Sequence, residues 1–128
     1  MIDAPCSGSG TWRRQVDARW QLTPEKLDKI KDTQAILLEK ARAMVAPGGR
    51  IIYITCSVLA SEGAELIKQF LANAPEIELA DITDIWGDTI GKIGGGACPP
   101  TINGLLQLLP ERDGTDGFFI AVLQARLR

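Results

Sequence analysis

Residues 50–57 read Arg-Ile-Ile-Tyr-Ile-Thr-Cys-Ser, and this stretch decides the fold. Residues 51–54 form an unbroken run of β-branched and aromatic side chains, which predicts a strand covered on both faces, as in a parallel sheet. Open α/β sheets carry their reactive groups beyond the carboxyl ends of the strands, so Cys56 falls where chemistry is usually done. A free cysteine is also commonly a small buried hydrophobic residue, and the residue type alone leaves both interpretations of Cys56 open.

Two helices are predicted to flank this strand. The first begins at Thr23-Pro24-Glu25, which supplies a cap, a proline for the first turn and an acidic side chain near the positive end of the helix dipole. It runs to about Val45, with an apolar stripe that the polar residue Gln34 interrupts. The second helix is predicted from a Ser61 cap to about Asn73. The apolar members of the first stripe are Leu27, Ile30, Leu37, Leu38, Ala41 and Val45.

The remaining segments predict further strands and two regions without regular structure. Alternation over residues 77–82 indicates a half-exposed strand, and the apolar segments 105–109 and 118–125 predict two more. Residues 12–22 show no period, and the glycine-rich segment 87–104 is expected to be mobile. The order of elements indicates an α/β fold with a mostly parallel sheet and a closing antiparallel hairpin at the carboxyl end.

Composition restricts the class of protein. A chain of 128 residues is one domain or part of one. A net charge of −2 argues against a free-standing nucleic-acid binder, although not against a catalytic segment that is held on nucleic acid by other parts of a protein. The sequence has neither a membrane-spanning run nor the features of a signal peptide, so we expect a cytoplasmic protein with reduced cysteines.

Several catalytic chemistries are excluded by residue type and spacing. The chain has no histidine, which removes Ser-His-Asp and Cys-His mechanisms. Cys6, Cys56 and Cys98 lack paired spacing, so a structural zinc site is not expected. The loop after Cys6 fails as a cysteine-phosphatase loop, because Trp12 stands where the arginine is needed. It also fails as a nucleotide P-loop, because no lysine follows Gly10.

A cluster of basic and aromatic residues follows this loop. Arg13, Arg14 and Arg19 are interspersed with Trp12 and Trp20. Such side chains can hold phosphates and stack on bases. The alternative is that the tryptophans pack onto the sheet and the arginines remain solvated.

Three segments in this order resemble the signature motifs of the Sun-like (NOL/NOP/Sun) RNA cytosine-5 methyltransferases. Residues 3–11, Asp-Ala-Pro-Cys-Ser-Gly-Ser-Gly-Thr, are similar to one cysteine motif, and residues 53–57, Tyr-Ile-Thr-Cys-Ser, to the second. Residues 109–119 are similar to the family's C-terminal motif. The resemblance covers nearly the whole chain. It implies a partial Rossmann-like class I methyltransferase domain over residues 1–128.

The resemblance also implies roles for individual residues. Cys56 would be the nucleophile that adds to carbon 6 of cytosine, and Cys6 would assist release of the methylated product. Asp3 would share a proton with ring nitrogen 3. A cysteine thiolate suits such a step, because it is strongly nucleophilic near neutral pH and can leave again.

Binding residues follow from the same motifs. Pro5, Ser7, Arg13 and Arg14 would contact an RNA substrate, with ribosomal RNA the expected class. Asp3, Ala4 and Pro5 would contact S-adenosylmethionine in the complete enzyme. No metal is implied.

The sequence departs from the family in ways that generate further expectations. It lacks the Ala-Pro-Gly-Gly-Lys cofactor loop, the acidic residue for the cofactor ribose and the N-terminal RNA-binding region, so we expect a C-terminal portion that binds the cofactor weakly by itself. Residues 60–63 also differ from the family's pattern.

The alternative function is an inactive half-domain that self-associates through a sheet edge exposed beside residues 51–55. A third alternative, an unrelated thiol enzyme, is disfavoured by the failed motif spacings.

Overall fold

The computed structural model describes residues 1–127, which form both strands and helices. The strands are β1 Ile2–Asp3, β2 Arg50–Thr55, β3 Ile77–Ala80, β4 Thr101–Ile102, β5 Leu105–Leu108 and β6 Phe118–Ala125. The helices are α1 Val16–Gln21, α2 Pro24–Met44, α3 Ala64–Asn73, α4 Ile82–Asp88 and α5 Pro110–Asp113.

The described strands form one mixed sheet in the order β1-β2-β6-β5-β4, with β3 also paired to β6. β1 runs parallel to β2, and β6 runs antiparallel to β2, β3 and β5. Consequently β1, β2, β3 and β5 share one direction, while β6 and β4 oppose it. The predicted α/β fold is confirmed. The antiparallel hairpin predicted at the carboxyl end is present as β5 and β6.

The two faces of the sheet are covered by different helices. On one face, α2 and α3 pack on β2 and β6 through a cluster that includes Leu38, Tyr53, Ile67 and Phe119. On the other face, α4 packs on a smaller cluster centred on Ile82. Alternate residues of β2 therefore differ in burial: positions 51, 53 and 55 are buried, whereas positions 52 and 54 are only half-buried. The strand is covered on both faces, as predicted, although less completely on the face of Ile52 and Ile54.

Most of the element boundaries agree with the sequence-based predictions. Thr23 caps α2 by accepting a hydrogen bond from the Lys26 amide at 3.3 Å, as its position predicts. The predicted strands at 105–109 and 118–125 are present as β5 and β6. The strand predicted at 77–82 ends at Ala80, because Asp81 caps α4 by accepting from the Thr83 amide at 2.8 Å.

Three local predictions were wrong. Ser61 does not cap α3; it lies in a 3₁₀ turn, Ala60–Glu62, and the helix begins after Gly63. Residues 12–22 are not wholly irregular, because α1 occupies Val16–Gln21. The segment 87–104 holds the end of α4, a 3₁₀ turn and β4, so it is not without structure.

Two glycines allow the backbones of two loops to cross. The Gly117 amide donates to the Gly10 carbonyl at 2.9 Å. A Cβ atom on Gly10 would lie 2.0 Å from the Gly117 carbonyl oxygen, which no real contact permits. The crossing joins the loop after β1 to the start of β6.

Replacement of Gly10 by alanine should therefore destabilise the chain. Gly10→Ala forces the two backbones apart, and overpacking of this kind costs about 1–3 kcal/mol. Gly87→Ala is the matched control: its Cβ meets nothing within 4 Å, and alanine in a helix gains about 0.5–1 kcal/mol over glycine. Urea unfolding measures both. Equal stability of the two variants would contradict the crossing.

Candidate active site

Two thiols converge where β1 and β2 end. The Sγ atoms of Cys6 and Cys56 lie 3.4 Å apart, although fifty residues separate them in the sequence. Both side chains are half-buried. Parallel pairing of β1 with β2, with Ile2 opposite Tyr53, brings the two following segments to the same edge of the sheet. The third cysteine, Cys98, lies in the segment between α4 and β4.

Backbone hydrogen bonds continue this pairing beyond the strands. The Ala4 amide donates to the Ile54 carbonyl at 2.9 Å, and the Gly10 amide donates to the Cys56 carbonyl at 3.0 Å. The loop that carries Cys6 is thus attached to the chain around Cys56 on both sides of the thiol.

A buried carboxylate connects the two cysteine segments. Glu62 Oε2 accepts hydrogen bonds from Ser7 Oγ and from Ser57 Oγ, both at 2.5 Å. Glu62 Oε1 accepts from the Ser7 amide at 2.8 Å and from Gln34 Nε2 at 3.1 Å. Ser7 and Ser57 each follow one of the two cysteines in sequence, so a single side chain contacts both neighbouring residues.

Further hydrogen bonds stabilise the same region. Ser9 Oγ lies 3.0 Å from Ser57 Oγ and accepts from the Val58 amide at 2.9 Å. Gln34 Nε2 also donates to the Pro5 carbonyl at 2.9 Å. Gln34 is fully buried, which explains why a polar residue interrupts the apolar stripe of α2.

Burial shifts the protonation of Cys6. Desolvation is the main cause that raises the pKa of Cys6 to about 12. The hydrogen bond with the Gly8 backbone opposes it, and the hydrogen bond to Cys56 and the charge of Cys56 add smaller increases. Desolvation also raises the pKa of Tyr53, and the charges of Glu62 and Cys6 act in the same direction. Cys6 is therefore a thiol at neutral pH, able to donate to the sulfur of Cys56.

The residues predicted to contact the cofactor surround the end of β1. Asp3 and Pro5 are exposed, whereas Ala4 is buried against the sheet. Asp3 ends β1 and lies opposite Ile54. The three residues therefore lie in sequence along the exposed carboxyl end of β1, two residues or fewer from Cys6 in the case of Ala4 and Pro5.

The predicted phosphate-binding arginines lie together on the surface. Arg14 donates two hydrogen bonds to Asp116, and Arg13 forms an ion pair with the same carboxylate at 3.3 Å. Both guanidinium groups remain more than half exposed. The hydrogen bond to Asp116 raises the pKa of Arg14. The hydrogen bond from Arg14, with a smaller contribution from Arg13, lowers the pKa of Asp116. Two positive charges share one negative charge at this point.

Trp20 does not pack onto the sheet as the alternative interpretation proposed. Its side chain is 76% exposed, and the Arg19 guanidinium lies 5.3 Å from the ring centroid. Trp12 is half-buried. α1, which carries Arg19 and Trp20, also supplies Ala18 and Gln21 to a hollow of about 210 Å³ that Cys6 and Ser7 line. The helix that carries the exposed Trp20 side chain therefore lies next to the Cys6 segment.

Sequence reasoning identified the two thiols but missed the side chains that hold them. Glu62, Ser9 and Ser57 were not singled out. One signal was present: a glutamine inside an apolar helical stripe indicates a buried polar partner. The identity of that partner depends on loop geometry that the sequence pattern does not reveal.

The fold places the chain among the Rossmann-like methyltransferases. A crystal structure of a methyltransferase homolog protein from Pyrococcus horikoshii matches with a TM-score of 0.70 and 26% identity, over 97% of this chain and 37% of that one. NSun6 from Pyrococcus horikoshii, with SFG, matches with a TM-score of 0.72 over 97% of this chain and 29% of that one. At 22% identity, the second likeness concerns the fold alone.

The particular family is shown by sequence. Residues 1–124 match the family described as 16S rRNA methyltransferase RsmB/F, and the chain belongs to this family. The ribosomal RNA small subunit methyltransferase F of Serratia proteamaculans is 34% identical over 125 residues, which are 97% of this chain and 25% of that protein. The chain thus spans about a quarter of the length of this curated relative.

Two other kinds of site are not found in the described part of the chain. Residues 1–127 contain no group of three histidine, cysteine, aspartate or glutamate side chains placed to hold a metal ion. No helix within the same residues is both long and apolar enough to span a bilayer.

The raised pKa of Cys6 gives a direct test of the thiol geometry. Alkylating agents react with thiolates. In the folded protein we expect Cys6 to remain largely unmodified by iodoacetamide up to about pH 10, because desolvation keeps its proton. After unfolding in urea it should react with a midpoint near pH 8.5, the value of a free cysteine. Mass spectrometry assigns the label to each cysteine. A midpoint near 8.5 in the folded protein would contradict the desolvation of Cys6.

Proposed function

We propose that this chain carries the thiol half of the active site of an S-adenosylmethionine-dependent methyltransferase that acts on carbon 5 of cytosine in ribosomal RNA. The observation that carries the proposal is the 3.4 Å contact between Cys6 and Cys56. Thiols this close can both reach one pyrimidine ring. Membership of the 16S rRNA methyltransferase family supports the RNA substrate.

The first step is nucleophilic addition. The Cys56 thiolate forms a bond to carbon 6 of cytosine, and the ring electrons move toward carbon 5 and nitrogen 3. Carbon 5 would then take a methyl group from the sulfonium donor, whose methyl–sulfur bond would break to leave a neutral thioether. Asp3, whose carboxyl group lies exposed at the end of β1, shares a proton with nitrogen 3 as negative charge develops there.

The second step restores the aromatic ring. The bond between carbon 6 and sulfur breaks, its electron pair stays on the sulfur of Cys56, and the electron pair of the carbon 5–hydrogen bond re-forms the ring double bond. Cys6 assists both parts of this step: it gives its proton to the departing sulfur, and the Cys6 thiolate that results accepts the proton released from carbon 5. Because burial keeps Cys6 protonated, its S–H group can donate to the departing sulfur of Cys56.

RNA contacts are proposed on the surface beside the thiols. Arg13 and Arg14 hold phosphates, with one positive charge in excess after pairing with Asp116. Trp20 offers an exposed ring on which a base can stack. Pro5 and Ser7 flank Cys6 and contact the target nucleotide, which must be unstacked before attack.

S-adenosylmethionine supplies the methyl group. Asp3, Ala4 and Pro5 are proposed to form one side of its site. Asp3 and Pro5 are exposed at the end of β1, so the remaining contacts to the cofactor would come from other residues. The chain by itself should bind the cofactor weakly.

The second candidate function is self-association of this chain. The outer side of β1 pairs with no described strand, and β2 is paired on that side only at Tyr53 and Ile54. An apolar hollow of about 390 Å³ adjoins this edge, and its lining includes Ile2, Met44 and Ile51. Unpaired apolar edges readily accept a strand from another chain, so we infer that a second copy pairs here.

The two cysteines should give opposite variant phenotypes in a full-length enzyme that carries these residues. Cys56→Ala should reduce methyl transfer to background, because no thiolate activates the ring. Cys6→Ala should accumulate a covalent protein–RNA adduct, since addition proceeds and release fails. Denaturing gels and methyl incorporation report both results. Cys98→Ala is the control and should behave as wild type. Normal turnover in Cys56→Ala would refute the proposed mechanism.

Self-association is tested by a charge placed in the hollow. Light scattering over a dilution series should show wild-type dimers that dissociate on dilution. Met44→Lys should remain monomeric at all concentrations, because an ammonium group would be desolvated at the contact. Ile36→Lys lies at an exposed position of the same helix outside the hollow and should dimerise normally. A monomeric wild-type chain at high concentration would exclude this candidate function.

A further inference from the structure

Among residues 1–127, Glu62 is the one acidic or basic residue whose side chain is buried. Its side chain is 0% exposed. All four donors to its carboxylate are neutral groups: the Ser7 amide, two serine hydroxyls and the Gln34 amide. Within residues 1–127 no lysine or arginine forms an ion pair with it.

A buried carboxylate without a counter-charge is costly. Removing a charge from water is unfavourable unless hydrogen bonds compensate for the loss of solvation. Here four donors provide that compensation, and they come from three separate segments: the Cys6 loop, α2 and the turn after Cys56. A well-packed apolar side chain would fill the same space without requiring these donors. The four hydrogen bonds are therefore better explained by a need to fix the positions of these three segments than by a contribution to the folding stability of the chain.

The contacts of one oxygen show what is being positioned. Glu62 Oε2 accepts from the hydroxyls of Ser7 and Ser57 at the same distance, 2.5 Å. These serines directly follow Cys6 and Cys56. The Tyr53 hydroxyl donates to the Glu62 backbone carbonyl at 2.9 Å, which attaches the glutamate itself to β2. The carboxylate is a bridge between the two thiol-bearing segments.

We propose that Glu62 is a positioning residue that holds Cys6 and Cys56 in register with each other. This inference rests on the proposed function for its meaning, because the two thiols are its catalytic groups. Glu62 touches neither the substrate nor the reacting atoms in this scheme. It acts through Ser7 on one thiol and through Ser57 on the other.

The test measures thiol chemistry rather than methyl transfer. The titratable groups around Cys6 are Cys56, Tyr53, Glu62 and, across the hollow, Lys26. Cys6 is alkylated with iodoacetamide across pH 7 to 10 in a Cys98→Ser chain, and mass spectrometry assigns the label. Glu62→Gln keeps the shape but offers one acceptor oxygen in place of two. The Cys6 segment should loosen and admit water, so alkylation of Cys6 at pH 9 should rise about tenfold for each unit by which its pKa falls.

Two matched controls separate positioning from general stability. Glu65→Gln removes the charge of an exposed glutamate one turn along. Ile67→Val truncates a buried core side chain that is outside the carboxylate network. Both should leave the pH profile of Cys6 alkylation unchanged, even where Ile67→Val lowers the urea midpoint.

The outcomes distinguish this inference from the proposed function. A folded Glu62→Gln protein with the wild-type alkylation profile would overturn the inference. If Glu62→Gln fails to fold, Ser7→Ala decides, since it removes only the hydroxyl that ties the Cys6 segment to the carboxylate; an unchanged profile would again overturn it. The assay needs neither RNA nor cofactor. A shifted profile together with normal methyl transfer by Cys56→Ala would therefore support the positioning role and refute the proposed function.

Discussion

The parallel pairing of β1 with β2 is the constraint on which the candidate site depends. Ile2 lies opposite Tyr53 and Asp3 opposite Ile54. Since both strands point the same way, the segments that follow them leave the sheet at the same edge, and Cys6 meets Cys56. A shift of one residue in this register would turn every side chain to the opposite face. The thiol contact, the crossing of Gly10 with Gly117 and the hydrogen bonds of Glu62 would then all be lost.

This constraint is weak by itself, because β1 contains only two residues. So short a strand offers few ladder hydrogen bonds to define its register. The loop after it supplies the missing restraints: Gln34 holds the Pro5 carbonyl, Glu62 holds Ser7, and the Gly10 amide bonds to the Cys56 carbonyl. Side chains on α2 and in the turn before α3 thus determine the position of a loop that the sheet alone would leave under-determined.

Much of the fold follows from local patterns. Residues 51–54, the Thr23 cap and the apolar run at 118–125 each carry a strong signal, and each predicted element is present. The failures have a shared physical cause. Ser61 is a good cap by residue type, but it lies in a 3₁₀ turn whose last residue, Glu62, is buried. The next residue, Gly63, approaches the Phe119 ring too closely for a Cβ atom. Tertiary contacts override local preference at such points.

The same distinction applies to the site. The cysteines are recognisable from their motifs, because a motif preserves residue type and spacing along the chain. Glu62 is not recognisable in this way, since its partners lie 55, 28 and 5 residues away in the sequence. The side chains that join the two cysteine segments, Ser7, Gln34 and Glu62, come from three stretches of the chain that meet only in the folded structure. Motifs therefore identify the two cysteines, whereas the fold is needed to identify the side chains that position them.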